Sequence, residues 1–280
     1  RMGVNKFVMA GVMGWPVAHS RSPTIHNFWI KQYGLSGAYG FFPVPPDKLE
    51  QAIRGMAALG IAGCNVTIPH KVHALQFMDW VHPSAEKIGA INTIVVQPDG
   101  SLHGYNNDGY GYIQSLREVQ SNWQAHDKPI VVIGAGGAAR SILVALMSEG
   151  ATEIRLLNRT LENARTLEKE LGPQVIKAYE WDQRHSLLSD CSLVINTTSQ
   201  GMEGYPPLDL DLAPLPSDAV VSDIIYTPLE TPLLKQARLL GLPTINGLGM
   251  LLHQARPAFR SWFGIDPLVT DELRNKLLKH

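Results

Sequence analysis

The run Gly134-Ala135-Gly136-Gly137-Ala138-Ala139, directly after the apolar stretch Ile130–Ile133, most narrows what this chain can fold into. It fits G-x-G-x-x-A at a strand-to-helix junction, the fingerprint of a dinucleotide-binding βαβ unit. Gly134 permits the tight turn, Gly136 lets backbone approach a pyrophosphate, and Ala139 allows helix and strand to pack closely. The helix start then presents unpaired N–H groups to phosphate, Ala135, Gly137 and Ala138 lying in the same turn. A glycine-rich stretch alone is a weak signal. Here a strand, the turn, a helix over 138–149 and a second strand over 153–157 follow in order.

The second strand decides between cofactors. NAD-binding versions end it in an Asp or Glu that holds the ribose hydroxyls, about 20 residues past the glycines. This chain has Asn158-Arg159-Thr160 there. A carboxylate would repel a 2′-phosphate, whereas a guanidinium grips it with paired, charge-assisted hydrogen bonds. NADP is therefore expected, with NAD as a poorer alternative. Arg159 also suits a solvated residue at a helix start.

The same alternation of strand and helix runs through the rest of the chain. Strands are expected at 9–13, 39–44, 63–67, 90–96, 130–133, 153–157, 193–196 and 220–225. Helices are expected at 23–33, 47–59, near 70–78, and at 109–119, 138–149, 161–171, 233–240, 250–263 and 269–278. This pattern implies an α/β fold with parallel sheets covered on both faces. Residues 120–128 are polar and aperiodic, as in a connection.

Composition excludes several partners. The 24 basic and 25 acidic residues nearly cancel and form no stripe or tail, so no nucleic acid and no membrane are expected. No apolar run nears the roughly 18 residues of a membrane span, and the first residues lack the layout of a signal peptide. The two cysteines, Cys64 and Cys191, belong to no metal-binding pattern, so no metal is expected and a cytoplasmic, reduced setting is. A small-molecule substrate remains.

Polar residues cluster where apolar runs end. Ser20 and Ser22 sit at a helix start beside Pro23, where two hydroxyls can donate to a carboxylate; Ser22 equally suits a helix cap. Asn65 and Thr67 share one face of a strand at two-residue spacing, and Lys71 follows, a residue type most often solvated. Asn92 begins a strand, and Asp108 immediately precedes a helix, where capping is an equally good use.

In combination, residues 19–27, 65–71, 89–93 and 107–111 resemble the N-terminal motifs of the shikimate dehydrogenase family, which includes quinate/shikimate dehydrogenases. Residues 134–140, 158–160, Asn196-Thr197-Thr198-Ser199 and the tail Asn246-Gly247-Leu248-Gly249-Met250-Leu251-Leu252-His253-Gln254 resemble its cofactor half and C-terminus. The resemblance covers nearly the whole chain, in order.

It implies an N-terminal substrate domain (1–107 with 247–280), a Rossmann-type doubly wound NADP domain (108–246), and C-terminal helices that return to the first domain. It also implies an active site in the cleft between them, and a monomer or homodimer. By the resemblance, Ser20 and Ser22 hold the substrate carboxylate, while Asn65, Thr67, Asn92, Tyr226 and Gln254 bind its hydroxyls or line the pocket. Lys71 and Asp108 form the catalytic pair. Thr198, Ser199, Gly247 and Met250 join the glycine turn and Asn158-Arg159-Thr160 in cofactor binding. The implied activity is NADP-dependent interconversion of 3-dehydroshikimate and shikimate in aromatic amino acid biosynthesis.

Three positions depart from the family pattern. Asn107 stands where Thr is usual, Asn246 where Asp is usual, and Asn163 where many NADP users carry a second arginine. Competing readings are a quinate/shikimate dehydrogenase, a slow paralogue, and a non-catalytic dinucleotide sensor. The last predicts loss of the lysine and the acid, and both Lys71 and Asp108 are present.

Overall fold

The computed structural model describes residues 6–279, so the expected domain ends at residues 1 and 280 lie outside the described residues. In chain order the elements are β1 (Val8–Gly14), α1 (Ser22–Gln32), β2 (Gly37–Pro43), α2 (Leu49–Gly55), β3 (Ile61–Val66), β4 (Trp80–Val81), α3 (Pro83–Ile88), β5 (Thr93–Val96) and β6 (Leu102–Tyr105). Then follow α4 (Asp108–Val119), β7 (Ile130–Ile133), α5 (Gly137–Ser148), β8 (Ile154–Leu157), α6 (Leu161–Leu171), β9 (Ile176–Tyr179), β10 (Leu193–Asn196) and β11 (Val220–Asp223). The chain closes with α7 (Pro232–Leu239), β12 (Thr244–Ile245), α8 (Leu248–Phe263) and α9 (Asp271–Leu278). Two compact units result: Arg1–Asn107 with Leu252–His280 (unit 1), and Asp108–Leu251 (unit 2).

Unit 1 is built on a six-stranded sheet of order β2-β1-β3-β5-β6-β4. Strand β1 runs parallel to β2 and β3, but β5 is antiparallel to β3 and to β6. The sheet is thus mixed, where an all-parallel one was expected. One antiparallel pairing, β5 with β6, is a hairpin: Asp99 accepts from Ser101 N and Oγ at 2.9 and 2.7 Å in the tight turn through Gly100 that joins them. Ile53, Met56, Cys64, Ile91 and Ile94 fill a core on one face. The C-terminal helices return to this unit. Arg21 Nη2 donates to Leu277 O (2.7 Å), Trp29 Nε1 to Leu268 O (3.0 Å) and Trp262 Nε1 to Ile94 O (3.2 Å). The expected helix near 70–78 is a single short 3₁₀ stretch, His73–Phe77.

Unit 2 is a six-stranded, wholly parallel sheet of order β12-β11-β10-β7-β8-β9. This is the doubly wound arrangement, with the order reversing between β7 and β10. Ile130–Ile133 is buried at every position, as a central parallel strand covered on both faces requires. In α6, Ala164, Leu167 and Leu171 recur at helical spacing and are its buried face. The two units divide after Leu251, inside α8. The packing at that helix start is close: a Cβ on Gly247 would clash with Ile224 O, and one on Gly249 would lie 2.9 Å from Ser115 Cβ. The start of α8 is therefore seated in unit 2. Among the described residues no helix is long and apolar enough to cross a membrane.

Candidate active site

In unit 2, Gly134 has φ +113°, and a Cβ there would lie 2.2 Å from Thr197 Oγ1. Only glycine fits where the turn after β7 meets the loop after β10. Thr197 donates to Ile133 O from both N (2.8 Å) and Oγ1 (2.6 Å), tying the two strand ends together. Gly136 and Gly137 differ: an ideal Cβ on either meets no described atom within 4 Å. Their backbone, at the start of α5, faces open space that a side chain would occupy, and the N-cap Gly136 supplies no side-chain bond. This cradle, at the point where strand order reverses, fits the pyrophosphate of a dinucleotide.

The neighbouring loops are organised by two buried groups. Asn196 Oδ1 accepts from Thr198 N (3.0 Å) and Thr198 Oγ1 (2.7 Å), and its Nδ2 donates to Gln200 O (3.1 Å) and to Asp223 (3.3 Å). Asp223 also accepts from Ile225 N (3.1 Å) and Thr231 Oγ1 (2.9 Å). Burial raises its carboxyl to about 6, against the lowering pull of these donors. Thr198 and Ser199, and the segment leading to the exposed Tyr226, are held from this pair. Arg159 is exposed after β8, its Nη2 3.4 Å from Gln200 Oε1. Asn158 Nδ2 donates to Thr160 O (2.9 Å), and Thr160 is the N-cap of α6 without a side-chain cap bond. Asn246 Oδ1 accepts from Leu248 N at 3.1 Å, so this departure from the family pattern serves as a cap for α8, ahead of the half-buried Met250.

In unit 1 the polar residues join in one network. Asn65 Nδ2 donates to Asn92 O (3.1 Å) and Thr93 Oγ1 (3.2 Å), and Asn65 Oδ1 accepts from Tyr39 Oη (2.7 Å). Thr93 Oγ1 donates to Asn92 Oδ1 (2.9 Å) and accepts from Asn107 Nδ2 (3.1 Å). Asn92 Oδ1 also takes Asn107 N (3.0 Å), and Asn92 Nδ2 donates to Gln254 Oε1 (3.3 Å). Asn65, Asn92 and Thr93 are buried. Satisfied networks of this kind are rigid. Asn107, which immediately precedes Asp108, is thus wired into the sheet by its side chain.

Ser22 is the first residue of α1; Arg21 is the N-cap and makes no side-chain cap bond. Ser20 Oγ instead accepts from Ser22 N (3.3 Å), so the helix start does not consume the Ser22 hydroxyl. Thr67 N donates to Met13 O (2.9 Å), and the half-buried Lys71 accepts Ile91 N at its carbonyl (2.9 Å). Its neighbour His70 is buried and donates from Nε2 to Val44 O (2.7 Å), anchoring the turn that carries Lys71. Lys71 falls in unit 1, and the half-buried Asp108 opens α4 in unit 2.

Tyr39, Thr93, His70, Asp223 and Gln200 escaped the sequence reading. Tyr39 and Thr93 lie within apolar strand runs, where both types read as core. His70, next to Lys71, could have been found by asking what holds that turn.

Three family models match along the chain. A family model described as "Shikimate dehydrogenase substrate binding domain" matches residues 12–94. "Shikimate / quinate 5-dehydrogenase" matches 117–203, and "Shikimate 5'-dehydrogenase C-terminal domain" matches 247–274. A shikimate dehydrogenase (NADP(+)) of Rhodospirillum rubrum is 50% identical over 280 residues, covering 99% of each chain. Shikimate 5-dehydrogenase of Thermus thermophilus, solved with NADP(H) and shikimate, is 34% identical with a TM-score of 0.81, covering 93% of this chain and 95% of that one. Quinate dehydrogenase of Corynebacterium glutamicum, solved with NAD, is 28% identical with a TM-score of 0.89, covering 98% and 99%.

Proposed function

The chain belongs to the shikimate dehydrogenase family, and from that premise we propose that it catalyses the reversible, NADP(H)-dependent reduction of 3-dehydroshikimate to shikimate. The reaction serves aromatic amino acid biosynthesis. The observation that carries the reading is the network of Asn65, Asn92, Thr93, Asn107 and Gln254, a rigid polar wall suited to a polyhydroxylated ring.

In this reading unit 1 is the substrate domain and unit 2 the NADP domain. Ser20 and Ser22 hold the substrate carboxylate at the start of α1, where the helix dipole favours negative charge. Thr67, Asn92 and Gln254 bind the ring hydroxyls, with Asn65 and Tyr226 completing the lining. The cofactor is held by Gly134, Ala135, Gly136, Gly137 and Ala138 at the pyrophosphate, and by Asn158, Arg159 and Thr160 at the ribose phosphate. Thr198, Ser199, Gly247 and Met250 complete that site.

NADPH, when bound, supplies the hydride that reaches the ketone carbon. As negative charge grows on the carbonyl oxygen, the Lys71 ammonium stabilises it and donates a proton there. Asp108 is the second catalytic group, the carboxylate of the acid–base chemistry. Such help is worth roughly 10²–10⁴ in rate.

Lys71→Ala is accordingly expected to lower kcat by about two orders of magnitude or more while KM for shikimate changes little. Steady-state kinetics on the purified variant would measure this. An unchanged kcat removes Lys71 from the chemistry.

A further inference from the structure

Thr93 and Asn65 are direct partners where β3 pairs antiparallel with β5, so their side chains stand on one face of the sheet. There the buried Thr93 hydroxyl meets the amides of Asn65, Asn92 and Asn107. It accepts from Asn65 Nδ2 (3.2 Å) and Asn107 Nδ2 (3.1 Å), and donates to Asn92 Oδ1 (2.9 Å). A hydroxyl has one proton and two lone pairs, and here each is engaged. Thr93 therefore has nothing left to offer a ligand. What it can do is hold the residues that have.

Backbone groups fix the direction of these bonds. Asn92 O can only accept, so the Asn65 atom 3.1 Å from it is the amide nitrogen. Asn107 N can only donate, so the Asn92 atom 3.0 Å from it is the amide oxygen. The Thr93 proton must then go to Asn92. Both Asn65 amide protons and both Asn92 Oδ1 lone pairs are thereby engaged. Toward a substrate, Asn92 can only donate, and Asn65 can only accept, through the Oδ1 lone pair that Tyr39 Oη does not take. We infer that Thr93 is a positioning residue, whose hydroxyl holds the Asn65 and Asn92 amides in this one arrangement and so sets the affinity for the substrate's ring hydroxyls. The inference rests on the proposed reading of Asn65 and Asn92 as lining the substrate site.

The terminal torsion of an asparagine is broad, so its amide is placed by hydrogen bonds more than by rotamer wells. The test compares Thr93→Val, which keeps the shape and removes the hydroxyl, with Thr93→Ser, which keeps the hydroxyl and removes a buried methyl. Both are assayed for shikimate oxidation, and circular dichroism with a thermal melt checks that each is folded. Thr93→Val is expected to raise KM for shikimate roughly three- to tenfold, the worth of one net hydrogen bond, with KM for NADP unchanged. Thr93→Ser is expected to melt at a lower temperature yet keep its KM for shikimate within about twofold of the native value. Should Thr93→Val not fold, Thr93→Ala is measured in its place with the same expectation.

A purely structural role would make KM follow the melting temperature instead of the hydroxyl. An unchanged or lowered KM on loss of the hydroxyl, or an equal rise in Thr93→Ser, overturns the positioning role. Failure of the native protein to oxidise shikimate, or a KM untouched by Asn92→Ala, overturns the reading of the site itself, and the inference with it.

Discussion

His26 is buried in unit 1 among Tyr39, Trp29, Phe259 and Trp262, with neither ring nitrogen bonded to a described residue. Burial lowers its pKa from 6.5 to about 3. His253 falls to about 4, through burial and then the charges of Arg256 and Arg274. A depressed imidazole contributes stability that is present above pH 6.5 and is lost as pH falls through the folded value, because the unfolded chain binds the extra proton. Asp223, raised to about 6, has the opposite sign: its contribution is complete below 3.8 and lost as pH rises through 6. Between pH 6 and 4 the two histidines outweigh the one acid, so mild acid destabilises. Each pH unit costs about 1.4 kcal/mol per histidine.

His26→Phe keeps a ring under Tyr39 and removes one titration. Urea unfolding at pH 7 and pH 5 should show the variant losing about 2 kcal/mol less than the native protein. Equal losses would mean that His26 titrates normally in the fold. At this scale the sequence showed which residue types recur near strand ends, but not which of them saturate one another. Tyr39, Asn65 and Thr93 are 26 and 28 residues apart and meet only because β2, β3 and β5 share a sheet. The engagement of both Asn65 amide protons follows from that meeting alone.

Elements with a strong internal pattern were legible to the residue. Ile130–Ile133, Leu161–Leu171 and Leu193–Asn196 each carry a run or period that only one burial can satisfy. Strands β4, β6, β9 and β12 were not seen. Two of them are two residues long, and all are defined by a neighbour's hydrogen bonds more than by their own pattern. Where a helix was expected near 70–78 the chain winds only as the short 3₁₀ stretch His73–Phe77.

The β8–α6 turn was readable from its glycine-relative position, and its consequence is testable. Arg159→Ala should raise KM for NADP about ten- to a hundredfold, the worth of a charge-assisted pair, and leave KM for NAD nearly unchanged. Parallel titrations of both cofactors measure this, and equal effects on the two would undo the assignment of Arg159 to the 2′-phosphate.

The molecule as a whole is two sheets of different character on one chain. The parallel one was implied by its strand–helix alternation, whereas the mixed one depends on a hairpin that alternation does not announce. The chain divides inside α8, after Leu251. A glycine in sequence marks a close approach without saying to what, and here Gly247 and Gly249 seat the helix start against Ile224 and Ser115.

The likeness to both shikimate and quinate enzymes makes substrate choice the central question. Initial rates of nicotinamide reduction by the native protein, with NADP or NAD and shikimate or quinate in all four pairings, address it directly. The highest kcat/KM is expected for NADP with shikimate, by about tenfold or more over either single exchange. Preference for NAD or for quinate, or no shikimate-dependent reduction at all, would contradict it.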